Sequence, residues 1–330
     1  ATPKFSEGTF PLRIVFFGTP SFAVSSLERT LQSRHGVAAI VTQPDRPKGR
    51  FPSIPQPTSV HALASSKGIP VLQPDKPNEP AFLRRLRTFG ANCGIVVAYG
   101  AILPKSLLDL FPQGVVNLHA SLLPKLRGAA PIQWALIRGE EKTGVTIFQL
   151  DEQLDHGPIL LQVECPIEPQ DDAVSLSSKL AQLGAGALEE ALTRLEDGTA
   201  RGTPQDDAQA TCAPRLKKED GILDWSKDCR SLHNLVRGVQ PWPGAMTWWG
   251  TTRLKVIATR PDPQRHELAA SAGAVVEADP RMGLCVQTGQ GGLRILCLQP
   301  AGGKVMEAAE FLRGHPIPAG TLLSSSPTPS

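Results

Sequence analysis

Apolar residues along this chain recur with two different spacings, and the way the spacings alternate predicts an architecture. Short, nearly continuous apolar and β-branched runs occupy positions 13–17, 37–42, 70–72, 93–98, 115–118, 144–150 and 159–165. Runs of that length without alternation fit strands covered on both faces of a sheet. Between them the apolar positions return every three or four residues. Phe22, Val24, Leu27 and Leu31 follow the Gly18-Thr19-Pro20 turn, and 59–67, 79–89 and 131–137 repeat the pattern. The longest helical stretch, 174–195, places Leu176, Leu180, Leu183, Ala187, Leu188 and Leu195 on one face. Gly184 and Gly186 weaken it as a free helix and are expected to mark close packing.

Strands and helices in alternation predict a Rossmann-like α/β domain with a parallel-rich sheet over residues 1–198. From 199 the composition turns polar, with Gly, Pro, Asp and Gln, and 199–215 reads as a linker. Beyond it five short runs, 245–249, 253–260, 273–279, 284–288 and 293–299, are separated by glycine-containing turns. That spacing fits a small OB-like β-barrel over 216–330, with a helix running through Arg313. The serine- and proline-rich end, 324–330, is expected to lack order.

Composition narrows the classes. A chain of 330 residues accommodates two domains, and no apolar run reaches the roughly 20 residues that cross a bilayer, so a soluble protein without a membrane partner is expected. The net charge of +3 permits an anionic partner without requiring one. Six cysteines are scattered with neither a CxxC pair nor Cys/His ligand spacing, which argues against a metal site and for free thiols in a reducing compartment. Gly18-Thr19-Pro20 is not a dinucleotide fingerprint, and no Walker lysine follows it. The chain opens on Ala1 with no secretory signal. A trimmed initiator and a removed transit peptide both produce such an end, so the cytoplasm is expected, with mitochondrion or plastid as the alternative.

Candidate chemistry lies where polar residues break the apolar run after Gly114. Asn117 and His119 are two apart on a strand, so their side chains project to one side, near the strand's carboxyl end where open α/β sheets bind ligands. Amide and imidazole can both donate hydrogen bonds to an oxygen that gains charge during acyl transfer. The run 144–150 leads into Asp151-Glu152-Gln153-Leu154-Asp155-His156-Gly157, a polar turn expected at the same end of the sheet. A carboxylate brought from there beside His119 would favour the imidazolium and relay a proton through water. Taken singly, Asn117 also fits a turn cap and His119 a satisfied core histidine.

Asn117-Leu118-His119, Ser121-Leu122-Leu123-Pro124, Arg127-Gly128-Ala129-Ala130-Pro131-Ile132-Gln133 and Leu154-Asp155-His156-Gly157 together resemble the active-site signature of the folate-dependent formyltransferases. The resemblance implies that Asn117, His119 and Asp155 are catalytic. It implies that Ser121, Leu122, Leu123 and Pro124, with Tyr99, Gly100 and positions 101–104, contact folate. The formyl donor is then 10-formyltetrahydrofolate, and the chemistry needs no metal.

The proline-rich segment QPDRPKGR at 43–50 is too long for a simple connector and fits a solvated loop or a functional insertion. It looks like the loop by which methionyl-tRNA formyltransferases hold the acceptor end of their tRNA, with Arg46, Lys48 and Arg50 as phosphate contacts. Phe51-Pro52-Ser53-Ile54-Pro55 departs from that pattern, which usually continues with glycine and lysines. Segments 216–225 and 235–245 resemble the start of the same family's C-terminal domain. There Lys217, Lys218, Arg237, Arg253, Lys255 and Lys304 are candidates for a tRNA-facing surface, although basic residues barely outnumber acidic ones. Cys212 stands where the family usually has tyrosine, Gln153 where it has glycine and His156 where it often has threonine.

The expected function is transfer of the formyl group of 10-formyltetrahydrofolate to the amino group of methionine on initiator methionyl-tRNA, by a monomer. The alternatives are a formyltransferase with another amine acceptor, a 10-formyltetrahydrofolate hydrolase and a non-catalytic RNA-binding protein.

Overall fold

A five-stranded parallel array extended by an antiparallel hairpin forms the first of two seven-stranded sheets. The computed structural model describes residues 11–47, 55–265 and 270–328. Its parallel strands are β1 (Arg13–Gly18), β2 (Gly36–Val41), β3 (Val71–Leu72), β4 (Cys93–Val97) and β5 (Val115–His119), and the hairpin is β6 (Lys142–Gln149) with β7 (Ile159–Pro166). The spatial order is β3-β2-β1-β4-β5-β6-β7. The helices are α1 (Val24–Gln32), α2 (Ser59–Ser66), α3 (Pro80–Arg87), α4 (Lys105–Leu108), α5 (Pro131–Ile137), α6 (Ala173–Glu196), α7 (Cys229–Gly238) and α8 (Ala308–Gly314).

Chain order reverses between β1 and β4, which makes their carboxyl ends the topological switch point where such sheets bind ligands. Gly18-Thr19-Pro20 leaves β1 there and Tyr99-Gly100 leaves β4. Thr19 Oγ1 donates to the Tyr99 carbonyl across the crevice at 2.8 Å. One face of the sheet buries Val15, Phe17, Val41 and Val96 with Phe82 and Leu86 of α3. Against β5 lies α6, whose two central glycines differ. A Cβ on Gly184 would stand 2.6 Å from Leu118 Cδ1, whereas one on Gly186 would meet nothing within 4 Å. Only Gly184 marks the close packing that the sequence suggests for both.

The expected placement of the Asp151–Gly157 turn is overturned. β6 runs antiparallel to β5, with Gln149 opposite Val116 and Thr146 opposite His119, so β6 delivers its turn to the amino end of β5. The turn then has to fold back across the sheet to bring Asp155 to His119. A continuous apolar run cannot distinguish the two directions, because both faces of the strand are covered either way.

By packing, the chain divides into two units, one comprising residues up to 129 with 142–166 and 177–213, the other 130–141 and 167–176 with everything from 214. In the second, α5 packs on α7 so closely that a Cβ on Gly238 would lie 2.5 Å from Ile137 Cγ1. Asp228 caps α7 by accepting from the N–H groups of Arg230 and Ser231. The apolar spacing alone does not single out this helix, whose buried stripe is only Cys229, Leu232, Val236 and Gly238.

The second sheet comprises β8 (Ala245–Trp249), β9 (Thr252–Asp262), β10 (Val275–Asp279), β11 (Gly283–Gln287), β12 (Gly292–Pro300), β13 (Met306–Glu307) and β14 (Leu323–Ser324). Its order is β10-β11-β12-β9-β8-β14, with β13 on β12. The two ends of this curled sheet meet. Ala274 bridges Leu322, Val275 N–H donates to the Thr321 carbonyl, and Leu323 N–H donates to the Gly273 carbonyl, each at 2.8 Å. Its core holds Trp225, whose Nε1–H donates to Thr247 Oγ1 at 3.0 Å. Disorder of 324–330 is contradicted where the chain is described: Ser324 pairs with Trp248, Ser325 Oγ donates to Leu223 O, and Thr328 N–H donates to Gly250 O. Composition could not show that these residues have backbone partners waiting for them.

Candidate active site

Asn117 and His119 do share a side of β5, and both are buried, at 8% and 6% exposure. The imidazole is oriented by its neighbours. Its Nε2–H donates to the Leu126 carbonyl at 2.9 Å, and Nδ1 lies 3.7 Å from Asp155 Oδ2. Because Nε2 keeps its proton for Leu126, a hydrogen bond donated from Nδ1 requires the doubly protonated ring. The carboxylate has its own anchor, the Gly128 N–H, which donates to Oδ2 at 2.8 Å.

The backbone around these groups adopts conformations that side chains normally avoid. Ala98, Leu126 and Asp155 have φ of 48°, 62° and 48°. They are the non-glycine residues with positive φ among those described, and they fall at the end of β4, at the carbonyl receiving His119 and at the carboxylate itself. Residues in the left-handed region persist only when their surroundings over-determine them, and such strain concentrates at functional sites.

Those surroundings include side chains that sequence reasoning did not find. Thr146 on β6 is fully buried; its Oγ1 donates to the Ser121 carbonyl at 2.6 Å and accepts from Leu123 N–H and Gln162 Nε2. Gln162 on β7 also donates to the Leu123 carbonyl at 2.8 Å. Thr211 accepts from Leu126 N–H at 2.9 Å, and its carbonyl accepts from Arg127 N–H at 2.8 Å. Gln205 donates to the carbonyls of Asp155 and Gly157, both at 2.9 Å, and accepts from Arg127. Thr146 and Gln162 were visible as polar breaks in apolar strands. Gln205 and Thr211 sit in the polar stretch 199–215, where nothing local separates them from solvated neighbours.

The expected folate contacts are arranged unequally. Ser121 and Leu123 are buried, Leu122 and Pro124 half-buried, and Ser121 Oγ donates to the Lys125 carbonyl at 2.6 Å. Gly100 has φ of 88° at the switch point. Tyr99 turns its ring into the core, 1% exposed and edge-on to Phe17 at 5.6 Å, and burial pushes its hydroxyl up to about 12. What Tyr99 offers to the crevice is therefore its main chain.

Among the expected tRNA contacts, Arg46 is exposed and pairs with Gln56 in a short antiparallel ladder, while Lys48, Arg50 and the 51–54 segment lie outside the described residues. Asp45 ties down the base of that loop by accepting from Thr58 N–H, Gln73 Nε2 and the His61 ring. Arg237 does not join a basic face. Its guanidinium is spent on the carbonyls of Glu168, Pro169 and Asp171 and on Asn234 Oδ1. Lys217, Lys218, Arg253 and Lys304 are exposed. Among the described residues no His/Cys/Asp/Glu group has the arrangement of a metal site, and no helix is long and apolar enough to cross a membrane.

Known proteins match both halves of the chain. The family description "Formyl transferase" matches residues 12–192 and "Formyl transferase, C-terminal domain" matches 215–316. A methionyl-tRNA formyltransferase of Trichlorobacter lovleyi is 45% identical over 94% of this chain and 96% of its own length. One from Solibacter usitatus is 45% identical over 92% of this chain and 96% of its own. In fold, the chain resembles an N-formyltransferase from Helicobacter canadensis crystallised with folinic acid and dTDP-3-aminofucose, with a TM-score of 0.63, 17% identity and coverage of 86% of this chain and 98% of that one. The strand bearing Asn117 and His119, the back-folded loop bearing Asp155 and the matches over both halves lead to one conclusion: the chain belongs to the formyl transferase family.

Proposed function

We propose that this protein transfers the formyl group of 10-formyltetrahydrofolate to the amino group of methionine on initiator methionyl-tRNA. The observation that carries the reading is the approach of Asp155 Oδ2 to His119 Nδ1 at 3.7 Å, with Asn117 on the same side of the strand. In this reading the amine nitrogen attacks the formyl carbon, a C–N bond forms, and the formyl oxygen gains negative charge. The Asn117 amide and the Nδ1–H of the doubly protonated His119, whose Nε2–H stays on the Leu126 carbonyl, donate to that oxygen from fixed positions, which is where preorganised donors lower a barrier most. The bond from the formyl carbon to the folate nitrogen then breaks as the carbonyl reforms. The proton leaving the amine reaches that nitrogen through Asp155 and water, so Asp155 supports the histidine's charge and moves the proton.

Residues 1–198 form the catalytic domain in this reading, 199–215 joins it to the rest, and 216–330 is the tRNA-binding domain. Folate lies along Ser121, Leu122, Leu123 and Pro124 and against the main chain of Tyr99 and Gly100. Arg46, Lys48 and Arg50 contact the tRNA acceptor end. The protein works as a monomer in the cytoplasm. Relatives named for this reaction, at 45% identity over nearly the whole chain, support the acceptor.

The test compares wild type with His119→Ala for formyl transfer to purified methionyl initiator tRNA, with elongator methionyl-tRNA and free methionine as competing acceptors. Transfer confined to the initiator tRNA and lost in the variant is expected. Deformylation of folate at full rate without any tRNA would replace the reading with that of a hydrolase.

A further inference from the structure

We propose that Gln205 is a positioning residue for Asp155, an assignment that rests on the formyl-transfer reading for its kinetic consequences but not for its geometry. One carboxamide makes four hydrogen bonds here. Its Nε2 donates to the Asp155 and Gly157 carbonyls, both at 2.9 Å, and its Oε1 accepts from Arg127 Nε at 3.1 Å and Nη2 at 2.8 Å. Both amide protons and the carbonyl lone pairs are thereby in use.

The two sets of partners are the two halves of the carboxylate's setting. Asp155 holds a left-handed φ of 48°, and the bonds to its own carbonyl and that of Gly157 fix the turn in which that conformation is imposed. Arg127 directly precedes Gly128, whose N–H grips Asp155 Oδ2 at 2.8 Å. Gln205 therefore fixes both the backbone that carries the carboxylate and the backbone that holds it. Arg127 is tied a second time to this segment by Nη2 donating to Asp207 Oδ1 at 2.8 Å, an arrangement that holds the Asp207 carboxyl below the usual range. Gly157 completes the turn: a Cβ there would stand 1.8 Å from the Gln149 carbonyl, so only glycine fits at this position.

Only an amide satisfies both sets. Glu at 205 keeps acceptors for Arg127 but turns oxygen toward two carbonyls; Leu loses all four bonds. A displacement of about 1 Å at a catalytic group costs on the order of a hundredfold in rate. In Q205L and Q205E, kcat is expected to fall roughly ten- to a hundredfold, with KM for folate and tRNA within about twofold of wild type. In an Asp155→Asn background the same substitutions should cost almost nothing further, because residues acting through one another are non-additive.

The arm independent of activity is amide hydrogen exchange at Gly128. It should accelerate in Q205L and Q205E while strand amides at 115–119 keep wild-type protection, which also verifies that the fold is intact. Unchanged Gly128 exchange in either folded variant would overturn the proposal, as would an equal fall in kcat in both backgrounds. Should Q205L unfold, Q205E decides. If wild type shows no formyl transfer, the functional reading fails, while the exchange at Gly128 still decides the positioning.

Discussion

Gly128 donates its N–H to Asp155 Oδ2 at 2.8 Å, and the same oxygen faces His119 Nδ1 at 3.7 Å, so one backbone amide places the charge that the imidazole meets. Gly128 can do this because it has no side chain. Its φ is 124°, and a Cβ would stand 2.6 Å from the Ala213 carbonyl. Gly128→Ala should destabilise the protein by about 1–3 kcal/mol through imposed strain and lower kcat as the carboxylate loses its anchor. Urea unfolding and turnover on one preparation check both effects.

In the proposed reaction, Asn117→Ala removes one donor to the developing oxyanion. The expected cost is about 2.7–4 kcal/mol of barrier, a loss confined to kcat with little change in KM. Steady-state kinetics with folate and tRNA varied in turn measure it, and a loss confined to KM would assign Asn117 to substrate binding instead.

Asp155→Asn keeps an oxygen for the Gly128 N–H and removes the charge. The fold should survive with an unchanged melting temperature, while turnover falls by about two orders of magnitude or more. Were activity retained, the proton would have to travel by a route without Asp155.

His233 provides a pH test of stability. Burial, followed by the nearby Arg237 charge, pushes the ring down to about 4 from its usual 6.5, and its Nδ1 lies 2.9 Å from Thr259 Oγ1. The folded state holds the ring neutral where the unfolded chain would protonate it, so the unfolded state binds more protons between pH 6.5 and 4. Stability is therefore complete above 6.5 and declines as pH falls toward 4, at no more than about 1.4 kcal/mol per pH unit for one such group. His35, also pushed down chiefly by burial, contributes in the same direction. Urea midpoints at neutral pH and near the lower end of that window should separate wild type from His233→Gln, with the variant losing less.

The glycines of α6 should behave oppositely. Gly186→Ala meets nothing within 4 Å and should stabilise the helix by about 0.5–1 kcal/mol. Gly184→Ala would press on Leu118 from 2.6 Å and should cost about 1–3 kcal/mol, felt directly beneath Asn117 and His119. Thermal melts of the two variants check the contrast.

The sequence by itself determined most of the elements and the placement of the candidate residues on β5. The apolar runs at 13–17 and 93–98 mark buried strands because a strand covered on both faces carries a continuous apolar stretch and these runs are of strand length, closely followed by glycine; the two-residue spacing of Asn117 and His119 commits both to one side of a strand whatever its partners. The short runs after 245 likewise announce a second, antiparallel body.

Tertiary structure decided the rest, because hydrogen-bond partners distant in the chain leave no periodic trace. The direction of β6, and so the path by which Asp155 returns to His119, is fixed by its antiparallel pairing with β5, of which the composition of 144–150 carries no trace. Arg237 reads as a surface charge until three carbonyls of 168–171 close around it. In the polar stretch 199–215, Gln205 looks like any solvated glutamine, and only the folded chain brings its amide against Asp155, Gly157 and Arg127 together.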